Sequence, residues 1–123
     1  PWPTAESVDS SLRIGNPADG HYVVEAIRES NGWGERASND EIVEAIRLLA
    51  RTEGIWTETA GGVTLAVTRK LIEQGRLPRD ETIVVCVTGN GLKTVEAVAA
   101  RVGAPTRIKP TLGSFEEKVL GAV

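Results

Sequence analysis

Residues 82–94 read T-I-V-V-C-V-T-G-N-G-L-K-T, an apolar and largely β-branched run followed by a glycine-rich turn. A run such as residues 82–87 is typical of a strand that is buried on both faces, so it predicts the centre of a parallel sheet. The turn at residues 88–91 leads into a predicted helix over residues 92–102, which Gly103 closes. A strand followed directly by a helix is the repeating unit of an α/β fold.

The segments around this run alternate in the same way. Ser38 and Glu41 form the S-x-x-E pattern of a capping box, which predicts a helix that ends at Gly54. Further helices are predicted over residues 22–31 and from residue 61 or 62 to 75, and short strands over residues 35–37, 55–57 and 106–108. The pattern predicts an α/β fold of three layers, with a mostly parallel sheet and flanking helices.

Length and composition limit the kind of protein. With 123 residues the chain suits one domain, in which residues 1–20 form an irregular lead-in and residues 21–123 the α/β core. A net charge of −3 argues against nucleic acid or an anionic membrane as the partner. One cysteine and one histidine exclude a disulfide framework and a cysteine- or histidine-rich metal site. We therefore expect no bound metal. Since no apolar run reaches the length of a membrane span, we also expect a cytoplasmic protein.

The chain contains no methionine and begins with Pro1. Together with the small number of predicted strands, this favours a piece of a larger sheet domain. We therefore expect exposed apolar surface where the missing part of the sheet docks, and such a surface also favours a homodimer.

Two predicted strand ends carry the candidate chemistry, because ligands of open parallel sheets bind beyond the C-terminal ends of the strands. These ends are T-E-T-A-G-G at residues 57–62 and T-G-N-G-L-K at residues 88–93. Their glycines allow a backbone to approach a ligand closely, but the same residues also make plain tight turns. Lys93 follows Leu92 instead of a glycine, and Thr94 replaces the third glycine of a dinucleotide fingerprint, so neither phosphate-loop motif is present.

The other reactive side chains give no catalytic set. Cys86 lies in the middle of the predicted strand, where we expect a buried small hydrophobe and not a nucleophile. His21 is expected at the surface, and Lys70 is expected to extend its amino group into solvent. No catalytic residue is assigned.

Three motifs, in order along the chain, resemble those of threonine synthases. They are L-R-I-G-N-P at residues 12–17, E-G-I-W-T-E-T-A at residues 53–60 and T-G-N-G-L-K at residues 88–93. The resemblance covers nearly the whole chain. It implies a fold-type II pyridoxal-phosphate enzyme, a lyase of threonine biosynthesis that converts O-phosphohomoserine and water to threonine and phosphate.

The resemblance also implies a cofactor site. The hydroxyl of Thr88 would meet the pyridine nitrogen of pyridoxal 5'-phosphate, Gly89 and Asn90 would shape the same wall, and Glu58 would lie near the ring edge. A neutral hydroxyl partner would leave the ring nitrogen largely unprotonated and so moderate the electron sink. Asp9 departs from the family pattern, which often has a small residue at this position, and it receives no role.

The resemblance leaves out part of the machinery. The Schiff-base lysine and the glycine-rich phosphate loop of the family precede the matched segment. None of the four lysines of this chain matches the Schiff-base position; they are Lys70, Lys93, Lys109 and Lys118. We therefore expect the C-terminal part of such an enzyme, which is inactive without the missing N-terminal part. Two alternatives remain open: a free-standing α/β module that binds a small ligand or a partner without catalysis, and an enzyme that uses Cys86 or Glu58.

Overall fold

A computed structural model describes residues 2–121, and its framework is helical. Helix α1 spans Gly20–Glu29, α2 spans Asn39–Glu53 and α3 spans Thr59–Glu73. A 3₁₀ turn, Gly91–Thr94, runs into α4 (Val95–Ala99), and α5 (Leu112–Phe115) continues in a π-helical turn, Glu116–Leu120. Between residues 2 and 121, extended pairing is limited to one antiparallel bridge, between Thr57 and Asn90.

The predicted capping box at the start of α2 is confirmed. Ser38 N donates to Glu41 Oε2 at 2.7 Å, and Glu41 N donates to Ser38 Oγ at 3.3 Å. Lys70 of α3 donates to Glu41 Oε1 at 2.9 Å and to the carbonyl of Arg36 at 2.8 Å. The prediction that its amino group extends into solvent is therefore wrong. The backbone bond from Ser38, followed by the bond from Lys70, lowers the pKa of Glu41 to about 2. The cap therefore also fastens α2 to α3.

The core lies between α2 and α3. Gly62 allows their close approach, because a Cβ there would lie 2.7 Å from Ile46 Cγ1 and 2.9 Å from the carbonyl oxygen of Ile42. The lead-in is attached to this pair through Val8 N, which donates to Asn39 Oδ1 at 2.8 Å. The buried apolar side chains are Ile42, Val43, Ala45, Ile46, Leu49, Ala66, Leu71 and Val98.

The predicted central strand is not confirmed, and the prediction that its side chains are buried is wrong for this chain. Val84 is 83% exposed, and Cys86, expected to be buried, is exposed as well. The physical reason is the lack of a neighbour: within the described part of the chain, no strand lies beside residues 82–87 to pair with their backbone. The short strands predicted at residues 35–37 and 106–108 are likewise absent from residues 2–121. Of the short strand predicted at residues 55–57, only Thr57 forms a bridge.

The exposed apolar surface that the sequence predicts is present. Helix α1 buries none of its residues, and Tyr22 and Val23 on it are 61% and 56% exposed. The run at residues 82–87 adds Val84, and the segment after α4 adds Val102 and Ile108. No helix in residues 2–121 combines the length and apolar character that crossing a bilayer requires.

Candidate functional site

The two predicted strand ends meet and form one corner of the molecule. Glu58 N donates to the carbonyl of Gly89 at 3.0 Å, and Gly91 N donates to the carbonyl of Trp56 at 3.0 Å. Thr57 Oγ1 donates to the same Gly89 carbonyl at 3.1 Å. This surface, residues 56–59 with residues 88–94, is called the Thr88 corner below. It contains every residue predicted to contact the cofactor, namely Glu58, Thr88, Gly89 and Asn90.

The carboxylate of Glu58 connects a hydroxyl to an ammonium group. Glu58 is 8% exposed and is the N-cap residue of α3, yet its side chain makes no cap hydrogen bond. Instead Oε2 lies 2.6 Å from Nζ of Lys93, and Oε1 accepts a hydrogen bond from Thr88 Oγ1 at 3.4 Å. The sequence places Lys93 at the start of a helix but gives no sign of this ion pair, because the partners are 35 positions apart.

The glycines of the corner are required by neighbouring side chains. A Cβ on Gly89 would lie 2.6 Å from Glu58 Oε2 and closer still to Oε1. A Cβ on Gly91 would lie 2.6 Å from Cε2 of the Trp56 indole. The close approach that the sequence predicts at these glycines is therefore made by Glu58 and Trp56.

Two hydrogen bonds shape the loop that presents Thr88. Asn90 Oδ1 accepts from Leu92 N at 2.9 Å and caps the 3₁₀ turn. Thr94 Oγ1 accepts from Thr59 N at 3.2 Å, which satisfies the first amide of α3. The role of Thr94 has only a weak signal in the sequence, namely a hydroxyl residue directly after G-L-K.

Asp9, to which the sequence assigns no role, organises the turn of the lead-in at residues 9–12. It is fully buried, and its Oδ1 accepts from Ser11 N at 2.8 Å, Ser11 Oγ at 2.7 Å and Leu12 N at 2.9 Å. Burial alone raises the pKa of Asp9, but the hydrogen bonds from Ser11 and Leu12 outweigh it, so the pKa lies below its usual range. Oδ2 has no hydrogen-bond partner among residues 2–121. The side chain of Thr59 also lowers the pKa of Asp9, so Asp9 organises the lead-in beside the first residue of α3 and adjoins the Thr88 corner.

The Thr88 corner presents a hydroxyl group at the surface. Thr88 is exposed, and the one hydrogen bond of its hydroxyl within residues 2–121 runs to Glu58, so the oxygen keeps lone pairs for a ligand. Two lysines are already paired with carboxylates: Lys93, inside the corner, with Glu58, and Lys70, within α3, with Glu41. Three metal-ligating side chains do not cluster anywhere in residues 2–121. The corner thus offers one anchored hydroxyl and a buried carboxylate behind it.

Comparison with known proteins identifies a family for this chain. The family described as pyridoxal-phosphate dependent enzyme matches residues 1–89, which include α1, α2, α3 and Thr88. The chain is 40% identical over 109 residues to the threonine synthase of Methanocaldococcus jannaschii and covers 27% of it. It is 37% identical over 121 residues to the threonine synthase of Methanosarcina acetivorans and covers 30% of it.

A threonine synthase of a Bacillus species is 44% identical over 88 residues, and the chain covers 25% of it. The matches account for 72% to 98% of this chain, whereas the chain spans only a quarter to a third of the length of these relatives. The family match covers well over half of the chain. The chain therefore belongs to the pyridoxal-phosphate-dependent enzymes and is similar in sequence to threonine synthases.

Proposed function

We propose that this chain is the C-terminal part of a threonine synthase, which converts O-phosphohomoserine and water to threonine and phosphate with pyridoxal phosphate as cofactor. The family match and the similarity to threonine synthases support the proposal. The observation that carries it is the Thr88 hydroxyl, which is exposed to a ligand and held from behind by Glu58. In this role Thr88 binds the pyridine nitrogen of the cofactor.

Each residue of the Thr88 corner has a positional task in this function. The bound cofactor supplies the electron sink for the chemistry at the substrate carbons. Thr88 orients the ring through its nitrogen, Glu58 holds Thr88, and Lys93 holds Glu58 through the 2.6 Å ion pair. Asn90 fixes the loop by its bond to Leu92 N.

The rest of the machinery belongs to the missing N-terminal part of the same enzyme. In this proposal that part contains the lysine that carries the cofactor and the loop that binds the cofactor phosphate. One hydrogen bond from Thr88 contributes only about 1 kcal/mol, which is too little to retain the cofactor without them. The 123-residue chain alone is therefore inactive.

The same proposal accounts for the exposed apolar run. Ile83 and Val85 line an open cavity of about 320 Å³ together with Leu48, Leu65 and Ile72. Ile83 is 36% exposed even so, and Val84, at 83%, and Cys86 lie in the open. A strand with two apolar faces needs cover on both, and α2 and α3 border only one of them. We propose that residues 82–87 become a central strand of the three-layer α/β sheet when the rest of the enzyme is present.

The test compares Thr88→Val with Thr106→Val in the complete enzyme. Thr106 is exposed and lies outside the Thr88 corner, so its variant is the matched control. Loss of one hydrogen bond of about 1 kcal/mol predicts that Thr88→Val weakens pyridoxal phosphate binding by about fivefold and slows phosphate release, while Thr106→Val changes neither. Equal behaviour of the two variants would contradict the role of Thr88.

The isolated chain provides a separate test. We expect no single-lysine adduct with pyridoxal phosphate after borohydride reduction, and no phosphate release from O-phosphohomoserine. A stoichiometric adduct at one lysine, together with turnover, would refute the proposal that the cofactor lysine lies in the N-terminal part. Lys93 would then be the first candidate for that lysine.

A further inference from the structure

We infer that Thr57 is a positioning residue for the cofactor ring, because it sets the direction of Thr88 through the carbonyl group of Gly89. The inference rests on the proposed function, in which Thr88 binds the pyridine nitrogen. Thr57 is 1% exposed, so it lies beneath the surface of the Thr88 corner. Its hydroxyl is out of reach of a ligand and acts on the site only through the residues that it contacts.

Gly89 is the flexible point of the loop that carries Thr88. Glycine has more backbone freedom than any other residue, and Gly89 follows Thr88 directly in the chain. A residue with a side chain does not fit at this position, because its Cβ would lie 2.6 Å from Glu58 Oε2. The Thr88 hydroxyl can therefore keep one direction only if other contacts fix the backbone of Gly89.

Two hydrogen bonds fix that backbone, and both end on the carbonyl oxygen of Gly89. One comes from Glu58 N at 3.0 Å and the other from Thr57 Oγ1 at 3.1 Å. Two donors at one carbonyl oxygen restrict the rotation of the peptide plane more than one donor does. Since the bond from Glu58 N belongs to the backbone, Thr57 makes the only side-chain contribution to this carbonyl among residues 2–121.

The first turn of α3 holds the side chain of Thr57 in place. A Cβ on Gly61 would lie 3.0 Å from Thr57 Cβ and 3.1 Å from Thr57 Cγ2, so α3 packs directly on this side chain. An antiparallel bridge also pairs Thr57 with Asn90, the residue that follows Gly89. Thr57 thus connects the start of a 15-residue helix to the loop that presents Thr88.

The experiment measures pyridoxal phosphate binding to the complete enzyme in a double-mutant cycle of Thr57→Val and Thr88→Val. Valine keeps the shape of threonine but cannot donate a hydrogen bond to Gly89. We expect Thr57→Val to weaken binding by about twofold to fivefold, because the loss cannot exceed the one hydrogen bond of Thr88 that it misdirects. In the Thr88→Val background the same substitution should leave binding unchanged, because that hydrogen bond is already lost.

Two further variants separate positioning from a general loss of stability. Thr57→Ser keeps the hydroxyl and should bind the cofactor as the wild-type enzyme does. Thr68→Val is the matched control: it removes a half-buried hydroxyl that donates to the carbonyl of Thr64 at 2.8 Å within α3, and it should also leave binding unchanged. The circular dichroism of the bound cofactor depends on how the ring is held, so of these three variants only Thr57→Val should change it.

The outcomes separate the role of Thr57 from the proposed function. The positioning role is refuted if Thr57→Val binds the cofactor as Thr68→Val does, or if it weakens binding equally in both backgrounds, whereas a loss of binding in Thr88→Val leaves the proposed function standing. If Thr88→Val binds the cofactor as tightly as the wild-type enzyme, both are refuted. Should Thr57→Val fail to fold, Thr57→Cys replaces it under the same criteria, because a thiol is a weak donor.

Discussion

The Gly89→Ala substitution tests the geometry of the Thr88 corner. In Gly89→Ala the new Cβ would lie 2.6 Å from Glu58 Oε2, whereas ordinary van der Waals contact begins at 3.4 Å. Because Oε1 lies closer still to this Cβ, the carboxylate must retreat by more than about 1 Å, which lengthens both its 2.6 Å ion pair with Lys93 and its hydrogen bond with Thr88. Overpacking of this kind costs about 1–3 kcal/mol of unfolding free energy.

The assay is urea unfolding of the 123-residue chain in a double-mutant cycle with Glu58→Ala. Once the carboxylate is removed, the alanine at position 89 meets no obstruction from it, so its cost should fall to about 0.5 kcal/mol or less. Gly113→Ala is the matched control, because nothing lies within 4 Å of the Cβ that it adds. If Gly89→Ala costs the same in both backgrounds, Glu58 does not pack over Gly89 and the described corner is wrong.

Three further predictions concern the scaffold. The pKa of Glu41 is lowered to about 2, so its contribution to the stability of the fold is complete above its ordinary pKa of 4.5 and is lost as the pH falls towards 2. Glu41→Gln lacks this contribution, whereas the control Glu25→Gln keeps it. The urea midpoint of Glu41→Gln should therefore change less between pH 6 and pH 3 than that of Glu25→Gln. Gly62→Ala should cost about 1–3 kcal/mol by forcing α2 and α3 apart, against almost nothing for Gly113→Ala in the same urea assay. Asp9→Ala should destabilise the chain by about 1–3 kcal/mol, because it removes the buried acceptor that the hydrogen bonds from Ser11 and Leu12 share, and Asp9→Asn should cost less in thermal unfolding because the amide oxygen remains.

Local signals predicted the first four helices, with α1 placed two residues late, but not α5 or the π-helical turn after it. The Ser38–Glu41 capping box starts α2, and Gly54, with a φ of 69°, ends it as expected. The start of α3 was placed two or three residues late, because Thr59 and Ala60 were assigned to a strand-end loop. The helix expected over residues 92–102 is shorter and begins as a 3₁₀ turn, which Asn90 caps.

Long-range features could not be predicted from the sequence. The apolar run at residues 82–87 carries a strong strand pattern, but a strand forms only beside a partner, and residues 2–121 provide none. The motifs brought Glu58 and Thr88 to the same candidate site, yet only the fold reveals that Lys93 and Gly89 both face the Glu58 carboxylate. The sequence assigns Asp9 no role because it departs from the family pattern, and only the fold reveals the hydrogen bonds that it accepts from Ser11 and Leu12.

The most direct test of the proposed function is the structure of the complete enzyme with pyridoxal phosphate bound. The measurement is the distance from the pyridine nitrogen to Thr88 Oγ1. The proposed role of Thr88 predicts a hydrogen bond of about 2.7–3.2 Å between these two atoms, with Glu58 still in contact with the Thr88 hydroxyl. A pyridine nitrogen that faces solvent or another side chain, with Thr88 beyond about 4 Å, would contradict it.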